Sequence, residues 1–153
     1  MVEQTELDNT DMLKLCYQLH KEDDDGRVLS NQGGWQSKDF RPDAYDVMKP
    51  LHDAIMKQAH QCIRDYGYYE EYCYPIMENF WFNINKQKES NVLHNHSGII
   101  SGVYYLKTHK NCGGIRFYHG YHDQLVYTWR QAEWKEYDTR TSEHWDIEPK
   151  NNE

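Results

Sequence analysis

The stretch from Asn91 to Tyr118 constrains the fold of this chain more than any other. His94 and His96 stand one residue apart, and a β-branched and aromatic run, a glycine pair and a second such run follow them. Runs of this composition predict strands, and residues i and i+2 of a strand point to the same face. The spacing therefore predicts that both imidazoles reach one point, where nitrogen ligands suit Zn²⁺ or a similar divalent ion. Two histidines that bond to the backbone of a strand would give the same pattern.

Helices are predicted in the first part of the chain and strands in the second. Apolar residues at helical spacing predict one helix at about 11–21 and another at about 50–65, with Pro50 in its first turn. Short aromatic and β-branched runs separated by turn residues predict strands at 79–85, 99–106, 115–118 and 125–129. The tail from 139 to 153 is polar, and no strand is predicted there. These elements predict one domain over 1–153, mainly β, with an antiparallel core at about 78–130 and flanking N-terminal helices.

A polar segment, Ser30 to Ser37, contains Gly33 and Gly34 next to Trp35. Two adjacent glycines predict backbone at positive φ or a close approach of another group. The segment is either an ordinary turn or part of a pocket wall, and composition does not decide between them.

Composition limits the classes of partner. The chain has 25 acidic and 17 basic residues, a formal charge of −8, and a field of this sign repels phosphate backbones. No apolar run approaches the roughly 20 residues that cross a bilayer. We therefore expect a soluble, cytoplasmic protein that binds neither nucleic acid nor membrane. The four cysteines form no Cys-x-x-Cys pair, which predicts reduced thiols.

Several segments together resemble a known family. The segments are His94-Asn95-His96, Ser101 to Leu106, Gly113 to Phe117, Ser30 to Ser37 and Trp81-Phe82-Asn83. In this order they resemble the 2-oxoglutarate and Fe(II)-dependent oxygenases, particularly a poorly characterised group from bacteria and phages, over about residues 12–150. The resemblance implies a double-stranded β-helix, or jelly roll, with Fe(II) and 2-oxoglutarate as cofactor and cosubstrate.

The resemblance also implies a set of metal ligands. Family members hold the metal with a His-x-Asp or similar pair and a distal histidine, and a basic residue beyond that histidine holds 2-oxoglutarate. By resemblance, His94 is the first ligand and His96 replaces the carboxylate. The family continues past the segment at Trp145 with a strand that carries the distal histidine, so we expect the chain, and with it the jelly roll, to be C-terminally truncated. The third ligand is left unassigned, with His119, His122 and His144 as the candidates.

Oxygenase chemistry requires an enclosed pocket. Asn83 is the candidate for a polar contact to substrate or cosubstrate, and Trp81 and Tyr105 are candidates for the pocket wall. Further candidates for the wall are Trp35, Tyr104 and Phe117. Each of these residues could equally belong to the core or its rim.

The sequence therefore predicts an Fe(II)- and 2-oxoglutarate-dependent dioxygenase that uses O₂ to hydroxylate a small molecule or a peptide. One alternative is a non-catalytic jelly-roll module that has lost part of the metal site. Another is a cupin-like protein that binds zinc or manganese.

Overall fold

The computed structural model describes residues 7–96, 98, 100–118, 120 and 144–151. The chain divides into two compact units, Met1–Lys107 with Asn151–Glu153, and Thr108–Lys150. The elements in chain order are α1 (Thr10–Glu22), β1 (Asn31–Gln32), β2 (Trp35–Gln36), a 3₁₀ turn (Asp46–Met48), α2 (Lys49–Asp65), β3 (Asn83–Ile84), β4 (Ser90–Asn91), β5 (Ile115–Tyr118) and β6 (His144–Ile147).

Both helices lie within one residue of their predicted bounds. Their apolar residues recur at helical spacing, so each helix buries one face. The buried residues are Met12, Leu15 and Cys16 of α1 and Leu51, Ala59 and Ile63 of α2. Pro50 lies in the first turn of α2, where its missing N–H costs no intrahelical hydrogen bond. Among the described residues, no helix is long and apolar enough to cross a bilayer.

Segments 30–40 and 80–92 form one interrupted antiparallel ribbon. β1 pairs with β4, with Gln32 opposite Ser90, and β2 pairs with β3, with Trp35 opposite Ile84. A bridge between Phe40 and Phe80 extends the pairing. From the β1–β4 pair to the β2–β3 pair, segment 30–40 advances three residues, from Gln32 to Trp35, whereas segment 80–92 spans six, from Ser90 back to Ile84. The glycine pair therefore faces a five-residue loop, 85–89.

The glycine pair makes this interruption possible. Gly33 and Gly34 have φ values of 68° and 65°, in the left-handed region that a side chain disfavours. The prediction of positive φ is therefore confirmed. The segment is a turn within the ribbon that joins β1 to β2.

The ribbon packs one face against the helices. The buried cluster contains Met12, Leu15, Cys16, Trp35, Met48, Leu51 and Phe82. Phe40 contacts both Phe80 and Phe82, with ring centroids 5.9 Å and 5.3 Å apart. Burying a large side chain of this kind stabilises the fold by about 1.5–3 kcal/mol. The inner face of the ribbon is thereby fixed against α1.

The second unit contains an antiparallel pair of strands. β5 confirms the strand predicted at 115–118, and it pairs antiparallel with β6. The prediction that the tail has no strand is wrong. Ile115 lies opposite Ile147, and Arg116 donates two hydrogen bonds to the Asp146 carboxylate, at 2.6 Å and 2.7 Å. These cross-strand pairs hold a polar segment in a strand that its own composition does not favour.

Two other strand predictions change. Residues 100–106 of the strand predicted at 99–106 form no ladder; Tyr104 and Leu106 instead pack against the buried cluster. The strand predicted at 79–85 is reduced to β3 and the bridge at Phe80. The strand predicted at 125–129 lies outside the described residues.

In coarse form, the predicted antiparallel sheets with N-terminal helices are confirmed. Within the described ranges, each sheet has two strands.

Candidate functional site

Two of the predicted site residues, Trp81 and Asn83, lie on the face of the ribbon that points away from the core. Phe82 is buried and Ile84 is half-buried against the cluster. Because successive side chains of an extended segment alternate, Trp81 and Asn83 point to the opposite face. Trp81 is half-buried and Asn83 is exposed. This side of the ribbon, defined by Trp81 and Asn83, is called the outer face below.

His94 and His96 lie just beyond the ribbon. The last backbone bond of the ribbon runs from Val92 N to Ser30 O, at 2.8 Å. Residues 94–96 follow it in irregular backbone, so the prediction that the histidines lie on a strand is wrong. The strand stops before the histidines because its backbone pairing with segment 30–40 extends no further than Ser30. The imidazoles are nevertheless neighbours: their ring centroids are 4.9 Å apart, with an interplanar angle of 74°.

Both rings are oriented by neighbouring groups. His94 Nδ1 donates to the Val92 carbonyl at 2.7 Å. Since a carbonyl only accepts, Nδ1 of the neutral ring carries the proton, and Nε2 keeps a lone pair that can bind a metal. His96 stacks on Trp81, with centroids 5.7 Å apart and planes 28° from parallel. Both histidines are exposed.

The pair offers two candidate ligands, and the described part of the chain adds no third side chain that would complete a three-ligand group around it. There, no group of three or more His, Cys, Asp or Glu side chains could hold a metal ion. His119 and His122 lie outside the described residues. His144 lies in the second unit, in β6 opposite Tyr118. Two adjacent imidazoles suit Fe²⁺ or Zn²⁺, but a complete three-ligand site is not present in these residues.

The other predicted residues fall in different environments. Trp35 belongs to the core, where its indole N–H donates to the Asp23 carbonyl at 2.6 Å. It is therefore not available as a pocket wall. Tyr104 also packs on the core, whereas Tyr105 is half-buried between two inward-packing neighbours. Phe117 lies in β5 of the second unit and is 50% exposed.

Asn9 has a role that was not predicted. It precedes α1, yet its side chain does not cap the helix. It donates to the Leu106 carbonyl at 2.8 Å and accepts a 2.9 Å hydrogen bond from the Tyr104 hydroxyl. Burial raises the pKa of Tyr104, and the hydrogen bond to Asn9 opposes this shift. Asn9 thus ties the segment that carries Tyr105 to α1, and an asparagine at a helix start gives no sign of such a contact.

Gln36 was also missed. It is buried, although its cross-strand partner Asn83 is exposed. A glutamine is rarely buried unless its amide has partners. The only signal in the sequence was its place next to Trp35.

Comparison with known proteins gives a family match in the second half of the chain. Residues 79–152 match the model of a family described as "Putative 2OG-Fe(II) oxygenase". Neither a curated protein nor a solved structure matches the chain significantly. The matched segment includes Trp81, Asn83, both histidines and Tyr105. The match supports the resemblance seen in the sequence: residues 79–152 are similar to a family of putative 2-oxoglutarate and Fe(II)-dependent oxygenases.

Proposed function

We propose that this protein is an Fe(II)- and 2-oxoglutarate-dependent dioxygenase that hydroxylates a small molecule or a peptide. The observation that carries the proposal is the pair of His94 and His96, oriented by Val92 and Trp81, inside the segment that matches the family. In this proposal the ribbon is part of a jelly roll, a fold supported by its antiparallel pairing and by the family match.

The two histidines would hold the metal. His94 would bind through Nε2, since Nδ1 is engaged by the Val92 carbonyl. This outer hydrogen bond fixes the ring and raises the basicity of the ligating nitrogen. Bound Fe(II), with 2-oxoglutarate and O₂, supplies the oxidising power for hydroxylation of a C–H bond.

The outer face would orient the organic reactants. Trp81 stacks against one side of the His96 ring and so orients it, while the other side stays open to a ligand. Asn83 presents an exposed carboxamide on the same face, which can donate to a carbonyl and accept from an N–H. Tyr105 is proposed as a wall of the pocket.

His96 gives this site an unusual charge. A carboxylate at this position would contribute a negative charge next to the cation, whereas the neutral imidazole contributes none. Coulomb attraction for Fe²⁺ is therefore weaker. The proposal predicts that His96→Asp increases the affinity for Fe(II).

The test is succinate formation. Anaerobically purified protein is mixed with Fe(II), 2-oxoglutarate and O₂, and succinate is measured in the absence of a hydroxylation substrate and with a mixture of peptides. We expect formation of succinate, loss of it in His94→Ala and retention in the control His60→Ala, since His60 lies on α2. Succinate at the level of the protein-free control for both wild type and His96→Asp would refute the oxygenase function.

A second candidate function is favoured by the exposure of both histidines. A module that binds a divalent metal without oxygenase chemistry needs no enclosed pocket and no third protein ligand, because water can complete the coordination. This second function would be supported if the protein bound Zn²⁺ or Mn²⁺ tightly, lost that binding in His94→Ala, and formed no succinate under any condition.

A further inference from the structure

The Gln36 side chain is buried without a hydrogen-bonding partner among the described residues. It is 5% exposed, and its amide takes part in none of the side-chain hydrogen bonds of these residues. Its neighbour Ser37 is 4% exposed, but the Ser37 hydroxyl donates to the Lys38 carbonyl at 2.8 Å and accepts from Phe82 N at 2.9 Å. Burial of an unpaired amide is costly. A bound ligand or an ordered water molecule would supply the missing partner.

The backbone places this amide on the outer face. Gln36 lies opposite Asn83, and its carbonyl accepts from Arg27 N at 2.8 Å on the other edge of β2. Gln36 and Asn83 are therefore a non-hydrogen-bonded pair, the type in which Cα atoms are about 4.5 Å apart and side chains are closest. Residues opposite each other share a face, so Gln36 lies on the face of Trp81, away from Trp35.

We propose that Gln36 and Asn83 form a subsite for an amide group of the substrate, either a peptide bond or a carboxamide. A carboxamide side chain offers an acceptor oxygen and two N–H donors. The complementary ligand therefore presents a donor and an acceptor side by side, as an amide does. Trp81 supplies an aromatic side chain on the same face.

A carboxylate ligand fits the subsite less well. It accepts hydrogen bonds but donates none, so it would leave the Gln36 oxygen unpaired. The formal charge of −8 also opposes an anion. The inference rests on the proposed function for the identity of the ligand as substrate, while binding itself requires neither metal nor turnover.

The test uses three molecules of one shape: N-methylbenzamide, methyl benzoate and benzoate. Each is titrated into ¹⁵N-labelled full-length protein without metal, and the side-chain NH₂ resonances of Gln36 and Asn83 are followed by NMR. We expect saturable shifts of both resonances with the amide. Binding of the ester should be at least about tenfold weaker, because it lacks the N–H that pairs with the buried oxygen.

Variants separate binding from folding. Gln36→Met should keep or increase the resistance to urea, since it removes an unpaired amide, and should lose amide binding. Gln32→Met, an exposed position of β1 in the same ribbon, should bind as the wild type does. If Gln36→Met fails to fold, Asn83→Ala at the exposed position provides the same comparison.

Three results would overturn the inference: resonances of Gln36 that do not move with the amide, equal affinity for amide and ester, or tightest binding of benzoate. Its failure is distinct from that of the proposed function. Succinate formation without amide binding refutes only the subsite, and amide binding without succinate formation refutes only the oxygenase.

Discussion

Substitution of Gly26 tests the packing that fixes Trp35 and Gln36. Gly26 has a φ of 58°, and a Cβ added there would lie 2.6 Å from the Trp35 indole nitrogen and against the Gln36 carbonyl oxygen. Neither neighbour can move easily, because the indole is buried and donates to Asp23 and the carbonyl accepts from Arg27 N. Left-handed backbone costs an alanine about 1–2 kcal/mol, and overpacking adds about 1–3 kcal/mol. Gly26→Ala should therefore destabilise the fold by about 2–5 kcal/mol.

Gly67→Ala is the matched control. Gly67 has a φ of 78°, but an added Cβ would have no atom within 4 Å. Its substitution should cost only the backbone strain, about 1–2 kcal/mol. Urea unfolding followed by tryptophan fluorescence gives both free energies. The reasoning is refuted if Gly26→Ala is no more destabilising than Gly67→Ala.

Four further predictions concern stability and reactivity. Burial raises the pKa of Cys16 to about 11, so a thiol reagent at mildly alkaline pH should label exposed Cys112 and spare Cys16 until urea unfolds the protein; equal labelling rates would contradict this. Because the pKa of Cys16 is raised in the folded state, the free energy of unfolding should fall as pH rises from the ordinary thiol range toward 11. Cys16→Ala should remove this pH-dependent part of the free energy of unfolding, as measured with urea. Tyr104→Phe should cost about 1 kcal/mol, and a double-mutant cycle with Asn9→Ala should show coupling rather than additivity. The arginine of β5 lowers the pKa of Asp146, so protonation of this carboxylate at low pH should weaken the strand pair and increase amide hydrogen exchange in β5 and β6. Asp146→Asn has no carboxylate to protonate, so its exchange should show no such increase.

Local patterns predicted the parts of the fold that depend on near neighbours. The helices followed from apolar spacing, and positive φ at Gly33 followed from the absence of a side chain. The proximity of His94 and His96 needs only two residues of chain. These features are fixed within a few residues, so the sequence is sufficient to locate them.

Features that depend on distant partners were missed. β6 is polar, and only its pairing with β5, about thirty residues earlier, makes it a strand. Residues 100–106 have the composition of a strand, but Asn9 and the core take up Tyr104 instead. Gln36 was overlooked because its burial depends on tertiary packing, which no local pattern reports.

The central claim is that His94 and His96 bind one metal ion. Its most direct test is an anaerobic titration with Co²⁺, a spectroscopic substitute for Fe²⁺, followed by visible absorption and by the imidazole resonances. One equivalent should bind and should shift both rings, and His94→Ala and His96→Ala should each weaken binding by more than the roughly 10–100-fold expected for an outer-shell partner. His60→Ala should bind as the wild type does. Equal affinity in all four proteins, or metal bound while both imidazole rings stay unshifted, would contradict the account.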